Sequence, residues 1–338
     1  MNGPSVIVVG AGLAGLSAAV QLLKDGARVT VIEARARVGG RVLTIRDAFM
    51  QGQHAEAGGD FIDAGQEEIR RLVHEYGLTL HPILRKGFAI ARQKETGKIY
   101  GRPIAIQKAW KPIAEKAKPL LRAYQLAEQR WDGAIARNLA QRSVGEWLDE
   151  IQADDSMRST VRGLRGFFLA DPEDLSLLVL IDQLSSEAPG RESMSRIEGG
   201  NDRLPVEMAL PLGDALHLNT TAVALRQDQT SVHLTVQRSG GDQTHMKADY
   251  IILAVPVTTL RAIDIRPELP PEQTNAFSRL KYGRVTKSLL QFNRRFWHKK
   301  GRPTAFGTDA PTGAIWDGNE EQSGRAGILT LMAGGQAS

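Results

Sequence analysis

The chain has 338 residues, of which 42% are hydrophobic, enough for two domains that each bury a core. Its 43 basic and 38 acidic residues leave a formal net charge of +5, modest for this length and consistent with a mildly basic, solvated surface rather than a nucleic-acid face. Cysteine is absent, which excludes disulfides, thiolate metal sites and a cysteine nucleophile, and a cytoplasmic location is expected.

The first element is "SVIVV" (5–9), a β-branched run of the kind buried on both faces of a parallel sheet. Residues 13–25 then read as a helix stopped by Gly26, and "RVTVI" (28–32) completes a βαβ unit. The apolar stretch 6–23 spanning these elements is not expected to be a signal sequence or membrane anchor. No Lys or Arg precedes it, and Gly10, Gly12 and Gly15 interrupt it. Residues 40–62 are hairpin-like, and 66–76 form a helix closed by Gly77.

Between about 105 and 185 the pattern becomes helical. "SVGE" (143–146) has capping-box spacing, and "DPED" places Asp171 at a helix N-cap with Pro172 at the first helical position. After "RIEGGNDRLP" (196–205), strand patterns return at 221–227, 231–238 and 243–255. The expected fold is mixed α/β: a Rossmann-like nucleotide-binding domain in two parts, 1–78 and 196–260, interrupted by a largely helical domain, 79–195, that is completed by 261–338.

"GAGLAG" follows a strand and opens a helix. Gly10 permits the tight turn, Gly12 lets backbone approach a pyrophosphate at the helix N-terminus, and Gly15 lets helix and strand pack closely. Glu33 ends the second strand 18 residues after Gly15, where a carboxylate accepts both ribose hydroxyls and repels a 2'-phosphate. "GGR" (39–41) is either an ordinary turn or a second approach to the pyrophosphate, with two bare backbone amides and a charged donor. "EAGGDFI" (56–62) adds a glycine pair against which a flat ring could lie. In "YGRVTKSLLQF" (282–292), a strand would put Lys287 between Val285 and Leu289 on one face. The lysine either snorkels to water or is buried for proton handling, its charge disfavoured by burial.

The scattered histidines lack metal-ligand spacing, so no metal is expected, and neither HExxH nor GxSxG occurs. "RRFWHKK" (294–300) reads as a solvated charge run rather than a nucleic-acid site.

Six segments, "VIVVGAGLAGLSAA", "VIEARARVGGR", "EAGGDFID", "IEGGNDRLP", "ADYIILAVPVTTL" and "LKYGRVTKSLLQFNRRFW", resemble the flavin-containing amine oxidases in order and in kind. The resemblance implies FAD held noncovalently, since no cysteine is present to form a cysteinyl-flavin bond. It places Gly10, Ala11, Gly12, Leu13, Ala14 and Gly15 at the dinucleotide, Glu33 on the adenosine ribose, and Ala34 and Arg35 nearby. Gly39, Gly40 and Arg41 fall at the pyrophosphate, Ala57, Gly58, Gly59 and Asp60 beside the isoalloxazine, and Val223 at the adenine through its backbone, with Pro256 completing the cofactor contacts. Lys287 matches the family lysine that holds a water against flavin N5.

The implied reaction is oxidation of an amine to an imine, hydrolysed to aldehyde and ammonia, with oxygen reduced to hydrogen peroxide. Phe61 stands where the related L-amino acid oxidases carry a carboxylate-binding arginine, and losing that partner in a dry pocket costs about 2 to 4 kcal/mol. Amines are therefore expected over amino acids, an L-amino acid oxidase being the alternative. Family members continue into a C-terminal segment with a "GE" motif that is not found here. The chain is accordingly expected to be a poor oxidase by itself and to expose apolar surface, as a truncated or split, noncatalytic FAD-binding subunit needing a C-terminal partner fragment, or as a homodimer. No membrane or nucleic-acid partner is expected.

Overall fold

A computed structural model describes residues 3–93, 99–186, 194–300 and 302–338. Its centre is a parallel sheet in the order Leu216–His217, β2 (Arg28–Ile32), β1 (Ser5–Val9), Tyr250–Leu253. The side chains of β1 alternate between two cores, as the pleat requires. Val6 and Val8 pack with Leu16, Ala19 and Val20 of helix α1 (Leu13–Lys24) and with Leu204 and Met208. Ile7 and Val9 pack against Leu225, Leu234 and Val236 of a second sheet. The sequence assigned β1 and β2 with the bounds observed. Helix α1 ends one residue earlier than expected, with Gly26 at φ +84° and the Ala27 N–H donating back to Leu22 O.

The second sheet is Gln243–Ala248, Val232–Arg238, Thr220–Gln227 and Asp264–Arg266. The single strand expected over 243–255 is two strands. Its first half ends the second sheet, and Tyr250–Leu253 crosses to pair in parallel with β1. The break falls at Asp249, whose Oδ2 accepts from the backbone N–H and the hydroxyl of Ser5, each at 2.7 Å. That anchor turns the chain from one layer into the next.

Helices Ile106–Leu126, Ala134–Ala140, Val144–Glu150, Asp155–Arg162 and Leu177–Ser186 pack around Ile113, Tyr124, Trp147, Leu177 and Leu180. The capping box is present: Ser143 Oγ accepts from the Glu146 N–H at 3.0 Å, and Glu146 Oε2 accepts from the Ser143 N–H at 2.7 Å. The helix expected from Asp171 is only a turn, and helix begins at Leu177. The Asp171 carboxylate is drawn away from a capping role by the Gln336 N–H at 2.8 Å and the Arg165 guanidinium at 3.6 Å.

A six-stranded sheet joins the interrupting region to the last part of the chain. Its order is Val285–Phe292, Gly327–Gly334, Ala314–Asp317, Ala305–Thr308, Phe88–Gln93, Ile99–Ala105. The 294–300 run is only partly solvated. Arg295 donates to the Ala326, Asn319 and Gln322 carbonyls, and Trp297 and His298 both bond the buried Asp317 carboxylate. Tyr250, Tyr282, Val285, Leu290 and Phe296 are among the large apolar residues that are exposed. Among the described residues no helix is long and apolar enough to cross a membrane.

Candidate active site

The first half of the site is the turn between β1 and α1. Gly10, at φ +106°, donates its N–H to Ile32 O at 2.7 Å and lies against the Ala254 and Val255 segment that leads into Pro256. A Cβ on Gly15 would stand 1.8 Å from Gly10 O, so this glycine is required for helix and strand to pack at all. Gly12 differs: a Cβ there would meet no atom within 4 Å. Its openness sits at the N-terminus of α1, whose first turn has neither a side-chain cap nor an acidic residue. Leu13 and Ala14 begin the helix, Leu13 against the core and Ala14 exposed.

Glu33 is buried at the end of β2. Its Oε2 accepts from the Ala11 N–H at 2.8 Å and its Oε1 from the Arg35 N–H at 3.0 Å. A carboxylate offers about four lone-pair sites, so two remain for a ligand's hydroxyls. Ala34 and Arg35 are exposed beside it. Val223 occupies a β-bulge between Ala222 and Ala224, where the ladder to the neighbouring strand shifts register and leaves its backbone outside the regular pairing.

"GGR" forms a turn that packs against the first glycine turn. Gly39 and Gly40 have φ of +94° and +57°, the Gly39 N–H donates to Ala11 O at 2.8 Å, and a Cβ on Gly40 would lie 3.3 Å from Gly12 Cα. Arg35 and Arg37 both donate to Gly40 O, at 3.0 and 2.9 Å, and Arg41 is exposed at the end of the turn. Arg37 escaped the sequence reading because one arginine among several in a loop carries no local signal. An open glycine at a helix N-terminus, a buried carboxylate with free lone pairs and a second glycine turn against the first fit the ADP half of a dinucleotide.

The second half is the 56–61 segment. Gly58 and Gly59 have different roles: a Cβ on Gly58 would stand 2.1 Å from Arg41 O, whereas one on Gly59 would meet only Val42 Cγ2, at 4.0 Å. Gly58 lets two backbone segments touch and Gly59 keeps a bare surface. The segment is held by backbone bonds from Ala57 and Gly58 to Leu43 O, and by Asn201 Nδ2, which donates to Gly59 O at 3.0 Å and Asp60 O at 2.9 Å. Glu56 accepts from the Asn201 N–H and from Thr44 Oγ, each at 2.9 Å. Burial pushes its carboxyl up to about 7, against the bonds from Asn201 and Thr44.

Lys287 lies where strand alternation directs it, with its side chain 9% exposed, and it does not snorkel to water. Its Nζ donates to Gly58 O and to Asp60 Oδ2, each at 3.0 Å, and sits 5.4 Å from the centre of the Trp316 ring. The surroundings expected from Val285 and Leu289 were apolar; the structure adds an anion. The Asp60 carboxylate, in the segment that the resemblance puts beside the isoalloxazine, is bonded by Lys287, Trp316 and Arg196, the last at 2.6 Å. Burial works to raise its pKa, but Arg196 and then Lys287 outweigh burial and hold the carboxyl below the usual range. Arg196, 1% exposed, also meets Glu321 at 2.9 Å. Phe61 packs at 5.1 Å from Trp316 and 6.4 Å from Phe167, which in turn meets Phe88 at 5.0 Å, forming an aromatic wall.

Residues 13–338 match the family described as flavin containing amine oxidoreductase. The chain is 31% identical over 340 residues to a Mycobacterium tuberculosis protein that carries the name flavin-containing monoamine oxidase AofH, covering 96% of this chain and 72% of that one. It is 26% identical to an L-amino-acid oxidase of Bungarus fasciatus, over 97% of this chain and 65% of the relative. Among solved structures, wild-type putrescine oxidase bound to putrescine superposes with a TM-score of 0.82 at 25% identity, covering 99% of this chain and 76% of that one.

Proposed function

Because the chain belongs to the flavin-containing amine oxidoreductase family, we propose that it holds FAD noncovalently and oxidises an amine to an imine, which water converts to aldehyde and ammonia. The observation that carries this reading is one continuous arrangement: the open Gly12 cradle with Glu33 leads through the Gly39–Gly40 turn to the Gly58–Gly59 backbone, against which Lys287 is buried. The flavin, when bound, supplies the hydride acceptor and passes the electrons to oxygen, giving hydrogen peroxide.

The protein's part is placement. Glu33 takes the ribose hydroxyls, the open Gly12 backbone and the N-terminus of α1 take the pyrophosphate with Arg41, and Val223 offers backbone to the adenine. Ala57, Gly58 and Gly59 present a surface with little side chain to the flavin ring, and Lys287 Nζ holds a proton donor beside Gly58. In this reading 1–78 and 196–260 carry the cofactor, and 79–195 with 261–338 carry the substrate. The aromatic wall of Phe61, Phe88, Phe167 and Trp316 excludes water and favours a neutral, apolar or aromatic amine.

The test combines the visible spectrum of the purified chain after FAD addition with peroxide production from each amine and its α-carboxylated counterpart. Two bound-flavin bands that are released on denaturation, with faster turnover of the amine, are expected. Flavin that stays with the denatured chain sinks the noncovalent assignment, and preference for the carboxylated member returns the chain to amino acid oxidation.

A further inference from the structure

Four charged side chains from distant parts of the sequence form one buried row. Glu321 meets Arg196 at 2.9 Å, Arg196 meets Asp60 at 2.6 Å, and Asp60 meets Lys287 at 3.0 Å. Their side chains are 9%, 1%, 5% and 9% exposed in that order. Charges removed from water at this depth persist only when each is paired, and here signs alternate along the row.

The bonding fixes the geometry of each member. Arg196 uses Nε on Asp60, one Nη on Glu321 and the other on the Asp317 carbonyl, so its planar fork cannot rotate without breaking a bond. Asp60 is then held through both oxygens, Oδ1 by Arg196 and Oδ2 by Lys287 and Trp316. A lysine side chain is otherwise a flexible stem with three donors at its end. With Gly58 O and Asp60 Oδ2 each taking one N–H of Lys287, a single N–H remains.

We propose that Asp60, clamped by Arg196, is the positioning residue for Lys287, holding its ammonium against Gly58 so that the remaining N–H serves the reacting site. This rests on the flavin-dependent amine oxidation proposed above. Asp60 acts through Lys287, whose Nζ its Oδ2 accepts from at 3.0 Å.

Two measurements test it. In the first, the chain loaded with FAD is mixed with excess benzylamine without oxygen, and flavin bleaching is followed for wild type, Asp60→Asn, Lys287→Met and the double variant. Each single substitution is expected to slow bleaching by at least about tenfold, with the double variant no slower than the worse single one, because both remove the same unit. Losses that multiply overturn the proposal, since a purely structural role for Asp60 would add to that of Lys287.

The second measurement needs no flavin. The unloaded chain is treated with acetyl N-hydroxysuccinimide ester, and acetylation of Lys287 is read by peptide mass spectrometry against exposed Lys118. Freed from its anion, Lys287 is expected to react at least about fivefold faster in Asp60→Asn while Lys118 is unchanged. Unchanged labelling of Lys287 overturns the proposal. Should Asp60→Asn not fold, Glu321→Gln loosens Arg196 without contacting Lys287 and is expected to raise Lys287 labelling by a smaller factor; no rise there is equally fatal. A wild-type chain that does not oxidise amines fails the functional reading alone, and labelling still decides the clamp.

Discussion

Trp316 donates its indole N–H to Asp60 Oδ2 at 3.0 Å, the same oxygen that receives the Lys287 ammonium. The bond ties the aromatic wall to the buried charges, because Trp316 is fully buried and also packs on Phe61 and Phe167. Trp316→Phe keeps a ring but removes the donor and part of the volume. A stability loss of about 2 to 3 kcal/mol is expected in urea denaturation, from an unsatisfied acceptor and a small cavity together. A loss under about 0.5 kcal/mol would mean that the bond does not hold the site.

Gly12 and Gly15 separate ligand space from packing space. Gly12→Ala meets no protein atom, so the melting temperature of the unloaded chain should be nearly unchanged while FAD affinity falls, by at least about tenfold for a methyl group in the path of the pyrophosphate. Gly15→Ala drives a methyl group into Gly10 O, and insoluble or unfolded protein is expected. Flavin fluorescence titration beside thermal unfolding checks both. Unaltered FAD affinity in Gly12→Ala would remove the cradle from the proposed site.

Glu33 has two roles, so its removal has two readouts. Glu33→Ala leaves the Ala11 and Arg35 N–H groups without their carboxylate, a loss of about 1 to 3 kcal/mol in thermal or urea unfolding of the unloaded chain. FAD binding should weaken further in Ala than in Gln, which keeps one acceptor at the turn. Equal FAD affinity in wild type and both variants would detach Glu33 from the ribose.

Glu56 gives a pH signature. Its carboxyl is pushed by burial from 4.5 to about 7 in the folded chain, so the folded state binds the proton more tightly than the unfolded one. The stability this supplies is complete below about pH 4.5 and is lost as pH rises toward 7, up to about 3 kcal/mol in all. Glu56→Gln imitates the protonated group and can still meet Asn201 and Thr44. Wild type and variant should therefore have similar stability near pH 5, and the variant should gain on wild type through pH 7. A gap that does not change with pH would show that Glu56 ionises at an ordinary pKa.

Much of the nucleotide half was legible in the sequence because its signals are local. A β-branched run, a glycine at each tight contact and an acidic residue at the next strand end lie within 29 residues, from Ser5 to Glu33, and backbone sterics leave few ways to fold them. The same local grammar revealed the Ser143 capping box. It failed where a distant partner competed: Asp171 looked like a cap until Gln336 and Arg165 claimed its carboxylate, and 243–255 looked like one strand until Ser5 bonded Asp249. Strand periodicity could put Lys287 on a face, but not name its anion, because Asp60 lies 227 residues away. Arg196, Trp316 and Glu321 were invisible for the same reason. The sequence by itself determined the βαβ cradle, whose energetics lie in short-range backbone geometry. Only the tertiary structure decided the charge row beside it, since an ion pair is worth little in water and becomes decisive when folding removes water from both partners.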